Sequence, residues 1–112
     1  MADAADMKTL KIKTGVVKRL TKEKLYYEKE AVNEAEKLER IKADRSIDEH
    51  TVNKQAQVLQ ESRAMIPDAE RRLATSVSDL QSFISSHGSL SESDEYSAAN
   101  ECLTDAKKAM KK

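Results

Sequence analysis

The chain has 112 residues, 36% charged and 38% apolar, with two glycines, one proline, three tyrosines and one phenylalanine. That composition favours long amphipathic helices over sheets, which draw on β-branched and aromatic residues. Twenty basic and twenty acidic residues cancel, which argues against bulk attraction to nucleic acid or an anionic membrane. Cys102 is the single cysteine, so no intrachain disulfide forms and a reducing cytosol is the expected home. The opening MADAADMK lacks the apolar run of a signal peptide. No apolar run approaches the roughly 20 residues that span a bilayer. A soluble, cytoplasmic, all-α protein is predicted.

The first helix is predicted from about residue 6 to 43. Its seam is Leu10, Val17, Leu20, Tyr27, Ala31, Leu38 and Ile41, spaced in threes, fours and sevens. Gly15 lies inside it at a cost of up to about 1 kcal/mol against alanine, and reads first as close packing or chance. The run Lys8, Lys11, Lys13, Lys18, Arg19, Lys22 and Lys24 makes this half of the helix basic. A solvated face is the default for such a run. An acidic protein surface suits it better than nucleic acid, which would want stacking aromatics or a larger net charge.

Ser46 and Glu49 form a capping-box pattern that would start a second helix near Ile47. Its seam, Val52, Ala56, Leu59, Ile66, Leu73, Val77, Leu80 and Ile84, runs through Pro67 without a change of phase. Proline lacks the N–H for the Arg63 carbonyl and its ring crowds that carbonyl, at roughly 3 kcal/mol. A seam that keeps its register across such a cost predicts a bent helix to about residue 85, not a linker. Arg63 and Glu70 stand where the seam would take apolar groups. They are expected as half-buried partners of Glu30, Lys24 or each other. Leu25, Tyr26, Val58 and Met65 fall off the seam; either Leu25 and Tyr26 pack under a third helix, or these residues form an exposed apolar patch near the bend.

Ser86 to Ser89 reads as a turn, with Gly88 able to take a left-handed conformation. Ser89 and Glu92 offer a second capping box, and a third helix follows from about 90 to 110. Its seam is Tyr96, Ala99, Leu103, Ala106 and Met110. Short loops make neighbouring helices antiparallel. The predicted fold is therefore an all-α, antiparallel up-down-up three-helix bundle, with two long helices and a shorter third, in a single domain over 1–112. Helices of about 38, 39 and 20 residues span about 57, 58 and 30 Å, so the third covers half of the hairpin. Pro67 then falls level with residues 25–27 and with 107–110, where three helices thin to two. The thin end, 28–43 and 47–64, has fewer partners for its apolar groups and is an expected contact with another chain, a second copy included.

His50 and His87 are 37 residues apart and share no metal-ligand spacing with Cys102. No Ser–His–carboxylate arrangement, phosphate loop or nucleophile motif appears. Neither cofactor nor metal is implied, and catalysis is not expected.

Two segments together resemble the tubulin-binding cofactor A family. They are LKIKTGVVKRLTKEKLYYEKE, Leu10 to Glu30, and QAQVLQESRAMIPDAERRL, Gln55 to Leu73. The turn at 44–50 and the third helix resemble the family only in character, and Ala69 stands where a cysteine would follow the MIPD motif. The resemblance implies a three-helix chaperone that captures quasi-native β-tubulin, holds it without nucleotide or metal, and passes it to later tubulin-folding cofactors. It implies a cytoplasmic, cytoskeleton-associated protein. Tubulin's acidic surface would suit the basic run. Carried over by position, the tubulin-contacting candidates are Lys18, Arg19, Lys22, Tyr27, Glu28 and Lys29, then Glu61, Ser62, Arg63, Met65, Ile66, Pro67, Asp68, Arg71 and Arg72. Tyr27 and Ile66 are also seam residues and are expected to hold the fold.

Two other readings stand beside this one. A structural helical module, such as a spectrin-like repeat or coiled-coil adaptor, fits the size, although such repeats usually carry a core tryptophan and this chain has none. An all-helical enzyme would need several inward basic residues at one level, and only Lys24 and Arg63 come near that.

Overall fold

The seams fold back on one another as expected. The computed structural model, described over residues 4–110, contains α1 (Ala4–Ala43), α2 (Glu49–Ser86), a single 3₁₀ turn (Gly88–Leu90) and α3 (Asp94–Met110). Contacts between helices give their directions. Along α1, Lys13, Glu23 and Glu34 meet Asp79, Arg72 and Gln55 of α2 in descending order, so the two are antiparallel. Thr14 and Lys24 meet Cys102 and Ala109 in ascending order, so α3 runs with α1. The result is an up-down-up rod of 69 × 19 × 17 Å. Its radius of gyration is 19.8 Å, against about 13 Å for a rounder domain of this length.

The main core occupies the three-helix end. Leu10, Val17 and Leu20 of α1 pack with Leu73, Val77, Leu80 and Ile84 of α2, and with Ala99, Leu103 and Ala106 of α3. Leu90 of the 3₁₀ turn closes the end of the rod. Past the junction the buried groups shrink to Ala31, Leu38, Leu59 and the polar Gln55. Gln55 Nε2 donates to the Glu34 carbonyl at 3.1 Å and to its carboxylate at 2.6 Å. This bond between helices ties the register where apolar contacts are few.

α2 is helical without interruption across Pro67. Pro67 and Arg63 both lie on its exposed side, where a helix wrapping a core turns its carbonyls to water and a missing donor costs least.

Local side-chain competition moves several predicted details. Asp48, not Ser46, caps α2: its carboxylate accepts from the Thr51 N–H at 2.8 Å. Ser46 instead donates its N–H and hydroxyl to Asp44, so the helix starts at Glu49. Those bonds hold the carboxyls of Asp44 and Asp48 below the usual range. Gly88 does not take a left-handed conformation. Instead His87 ends α2, its N–H donating to the Ile84 carbonyl and its ring stacked on Phe83 at 4.0 Å. The chain then tightens into the 3₁₀ turn that buries Leu90. Ser93 replaces the expected Ser89 box, accepting from the Tyr96 N–H at 3.1 Å, so α3 begins at Asp94. In the seams, Gln55 is buried in place of Ala56, and Ala109 in place of Met110.

Candidate partner-binding surface

The junction of the three-helix and two-helix ends is built around Lys24. This side chain is 1% exposed and occupies the α1 seam between Leu20 and Tyr27. Its ammonium donates to the Ala109 carbonyl at 2.8 Å and pairs with Glu28 at 3.0 Å. The final carbonyls of a helix have no donors within it, so a cation there satisfies one and complements the negative end of the helix. Lys24, Pro67, Glu70, Ala74 and Met110 line one notch, which puts the proline level with the end of α3.

The two motif segments meet at this level. Asp68 of α2 pairs with Arg71 and with Arg72, the latter at 3.2 Å. Arg72 also reaches across to Glu23 of α1 at 3.7 Å. That is close enough for charge attraction and too long for a hydrogen bond, so the buried Oε2 of Glu23 has no hydrogen-bond donor. The pairs are largely exposed and contribute little to stability. Their value is in fixing which sides of the helices face each other.

From that contact the off-seam residues sort onto two sides. Tyr26 lies one turn beyond Glu23, and Met65 two turns before Arg72, so both lie on the Glu23–Arg72 side. They are 62% and 43% exposed. Leu25 and Val32 flank Glu28 at helical spacing, on a strip that begins with Thr14, Lys18 and Thr21. α3 borders the strip's beginning across a groove that Ala98, Glu101, Cys102 and Asp105 line, and it ends before Leu25 and Val32, which stay exposed. Tyr26 therefore does not pack under the third helix, and Leu25 is only at its margin.

The carried-over candidates fall into three groups. Lys18, Arg19, Lys22, Lys29, Glu61, Arg63, Met65, Pro67, Arg71 and Arg72 are exposed. Tyr27, Glu28, Ser62, Ile66 and Asp68 are half-buried, Tyr27 against the Tyr26 ring at 5.7 Å and Glu28 against Lys24. Arg63 and Glu70 are not the half-buried partners expected of them. Both are exposed and neither joins an ion pair among the described residues. The partner of Lys24 is Glu28 and a helix end. Burial pushes the Cys102 thiol up, helped by the Asp105 carboxylate and opposed by Lys18. It stays protonated at neutral pH, donating to the Thr14 carbonyl at 3.6 Å.

The sequence profile of the family described as tubulin binding cofactor A matches residues 5–103. The chain belongs to that family. Tubulin-specific chaperone A of Gallus gallus is 48% identical over 96% of this chain and 97% of its own. The crystal structure of tubulin folding cofactor A from Arabidopsis thaliana matches with a TM-score of 0.85 at 37% identity, over 95% of this chain and 99% of that one. RBL2P, described as a beta-tubulin binding post-chaperonin cofactor, matches with a TM-score of 0.82 at 27% identity, over 93% and 99%. Among the described residues no helix is long and apolar enough to cross a membrane.

Two features of this cofactor A chain are only partly legible in its sequence. Lys24 belongs to the basic run and comes near an inward position, but its bond to the end of α3 follows from neither; it stands four residues after Leu20 and seven before Ala31, on the seam itself. A lysine at a seam position, level with the end of another helix, is the signal that finds it. Glu23 has no comparable signal, because its partner Arg72 is set by the register of two helices.

Proposed function

We propose that this protein is a tubulin-folding chaperone that captures and stabilises quasi-native β-tubulin by stoichiometric binding and hands it on for heterodimer assembly. It acts in the cytoplasm as a single three-helix domain, by binding and without turnover. The observation that carries this reading is the end-to-end match to tubulin chaperones, one of them described as binding beta-tubulin. The fold supports it, since the two motif segments lie side by side across the Glu23–Arg72 contact. A rod with one exposed face of cations and a few apolar groups suits stoichiometric cover of another protein. Charge would guide the encounter and the apolar groups would supply affinity. The buried ammonium of Lys24, the strongest inward cation, is spent on Ala109 and Glu28, which disfavours the enzyme reading.

Gel filtration with dissociated tubulin tests the proposal. Comigration of β-tubulin without α-tubulin is the expected result. Absence of comigration, with the chain intact and helical, would return the protein to the structural-module reading. Arg71→Glu with Arg72→Glu should weaken capture and leave helicity unchanged by circular dichroism.

A further inference from the structure

Gly15 lies in the interior of α1, beside the best-packed part of the rod, although glycine is the least helix-favouring residue after proline. Such a glycine is retained where another group approaches too closely for a Cβ, or where φ must be positive. Neither holds within this chain. A Cβ at Gly15 meets no heavy atom within 4 Å, and its φ is not positive. The position is exposed and opens outward.

What surrounds it is a charged, partly aromatic stripe. Gly15, Arg19, Lys22 and Tyr26 follow one another by four, three and four residues, along one face of the helix. They line one shallow depression, which Lys18 borders. Lys18, Arg19 and Lys22 join no ion pair among the described residues. The carboxylate in the depression, Glu23, is turned toward Arg72. Three cations outside ion-pair distance of any carboxylate among the described residues therefore flank a stretch of bare helix backbone, with Glu101 and Asp105 of α3 in the neighbouring groove beside Lys18 and Lys22.

We infer that this stripe receives a carboxylate-rich surface of the captured protein, and that Gly15 lets the partner's chain approach α1 closely. The inference rests on the capture function proposed above. Lys18, Arg19 and Lys22 meet the partner's carboxylates, and Tyr26 gives an apolar edge with a hydroxyl at the far end. Glycine at 15 then trades helix stability for contact with another molecule.

That trade gives a test with two readouts of opposite sign. Gly15→Ala and Gly15→Gln add a good helix former into open space, so the melting temperature of the free chain rises by a few degrees. Capture of β-tubulin, followed by gel filtration and by titration with dissociated tubulin, falls at least tenfold and further for glutamine than for alanine. Arg19→Glu with Lys22→Glu also lowers capture at least tenfold, with the folded chain unchanged by circular dichroism. Undiminished capture by the Gly15 variants would overturn the inference, as would unchanged capture after the charge reversal. Absence of β-tubulin capture by the unaltered chain would overturn the proposed function itself, and the stripe's partner with it.

Discussion

The two ends of the rod are held by different means. At the three-helix end, leucines and valines from all three helices interlock around Leu10, Val17, Leu73 and Leu80. At the two-helix end the buried groups are Ala31, Leu38, Leu59 and the amide of Gln55. One end has enough apolar surface to specify its own packing. The other relies on the register imposed by the first, and on the bond from Gln55 to Glu34. Lys24 and Pro67 mark the boundary, the one closing α3 and the other lying level with its end. Most candidate contact residues gather near this boundary, where the helices are anchored and yet exposed, and few lie toward the tip of the hairpin.

The contrast predicts unequal costs for equal substitutions. Leu73→Ala removes a side chain enclosed by three helices and should cost about 4 kcal/mol, whereas Leu59→Ala, between two, should cost about 2 kcal/mol. Urea unfolding measures both, and equal costs would break the comparison. At the boundary, Lys24→Met keeps the volume but leaves the Ala109 carbonyl without its donor. A loss of about 1–3 kcal/mol is expected, with faster amide exchange concentrated in the last turns of α3. Exchange rising equally along the whole rod would show that Lys24 is not specific to that junction.

In the thin end, Gln55→Leu should change stability by less than about 1 kcal/mol, because half-exposed Glu34 can turn to water. A larger loss in urea unfolding would mean that the thin end depends on this bond for more than register. The smallest expected effect belongs to the turn that joins the long helices. Asp48 has a lowered pKa in the folded chain, so the unfolded chain binds its proton more readily. Its stabilisation is full above the ordinary aspartate pKa of 3.8 and is lost as pH falls through the lowered folded value. Asp48→Asn keeps a capping oxygen without the titration. Thermal melts between about pH 5 and pH 2 should therefore show a shallower acid decline for the variant.

How much of this was legible in the sequence follows from what each level of structure depends on. The helices and the thinning of the bundle beside Pro67 come from period and length, which the seams carry openly. The helix starts do not, because Asp44, Ser46 and Asp48 all offer caps within five residues. The choice depends on which of them the chain turns toward the backbone. Gly88 needs no left-handed conformation because the ring of His87 and burial of Leu90 close the helix another way. Along α1 the charged residues were visible but their surroundings were not. Seam position sets Lys24 apart from exposed Lys22, two residues and about half a turn away, but only the folded chain shows Lys24 bonded to Ala109. Gly15 could be seen as costly from the sequence. That nothing within the chain fills the space above it could not.

The most direct test of the stripe as the docking face is hydroxyl-radical footprinting of the chain alone and in its complex with β-tubulin. The account predicts that complex formation slows oxidation of Tyr26 and Met65, on the Glu23–Arg72 side, while His50 at the tip of the hairpin keeps its rate. Slowed oxidation of His50, with Tyr26 and Met65 unchanged, would contradict it and move the contact to the two-helix end.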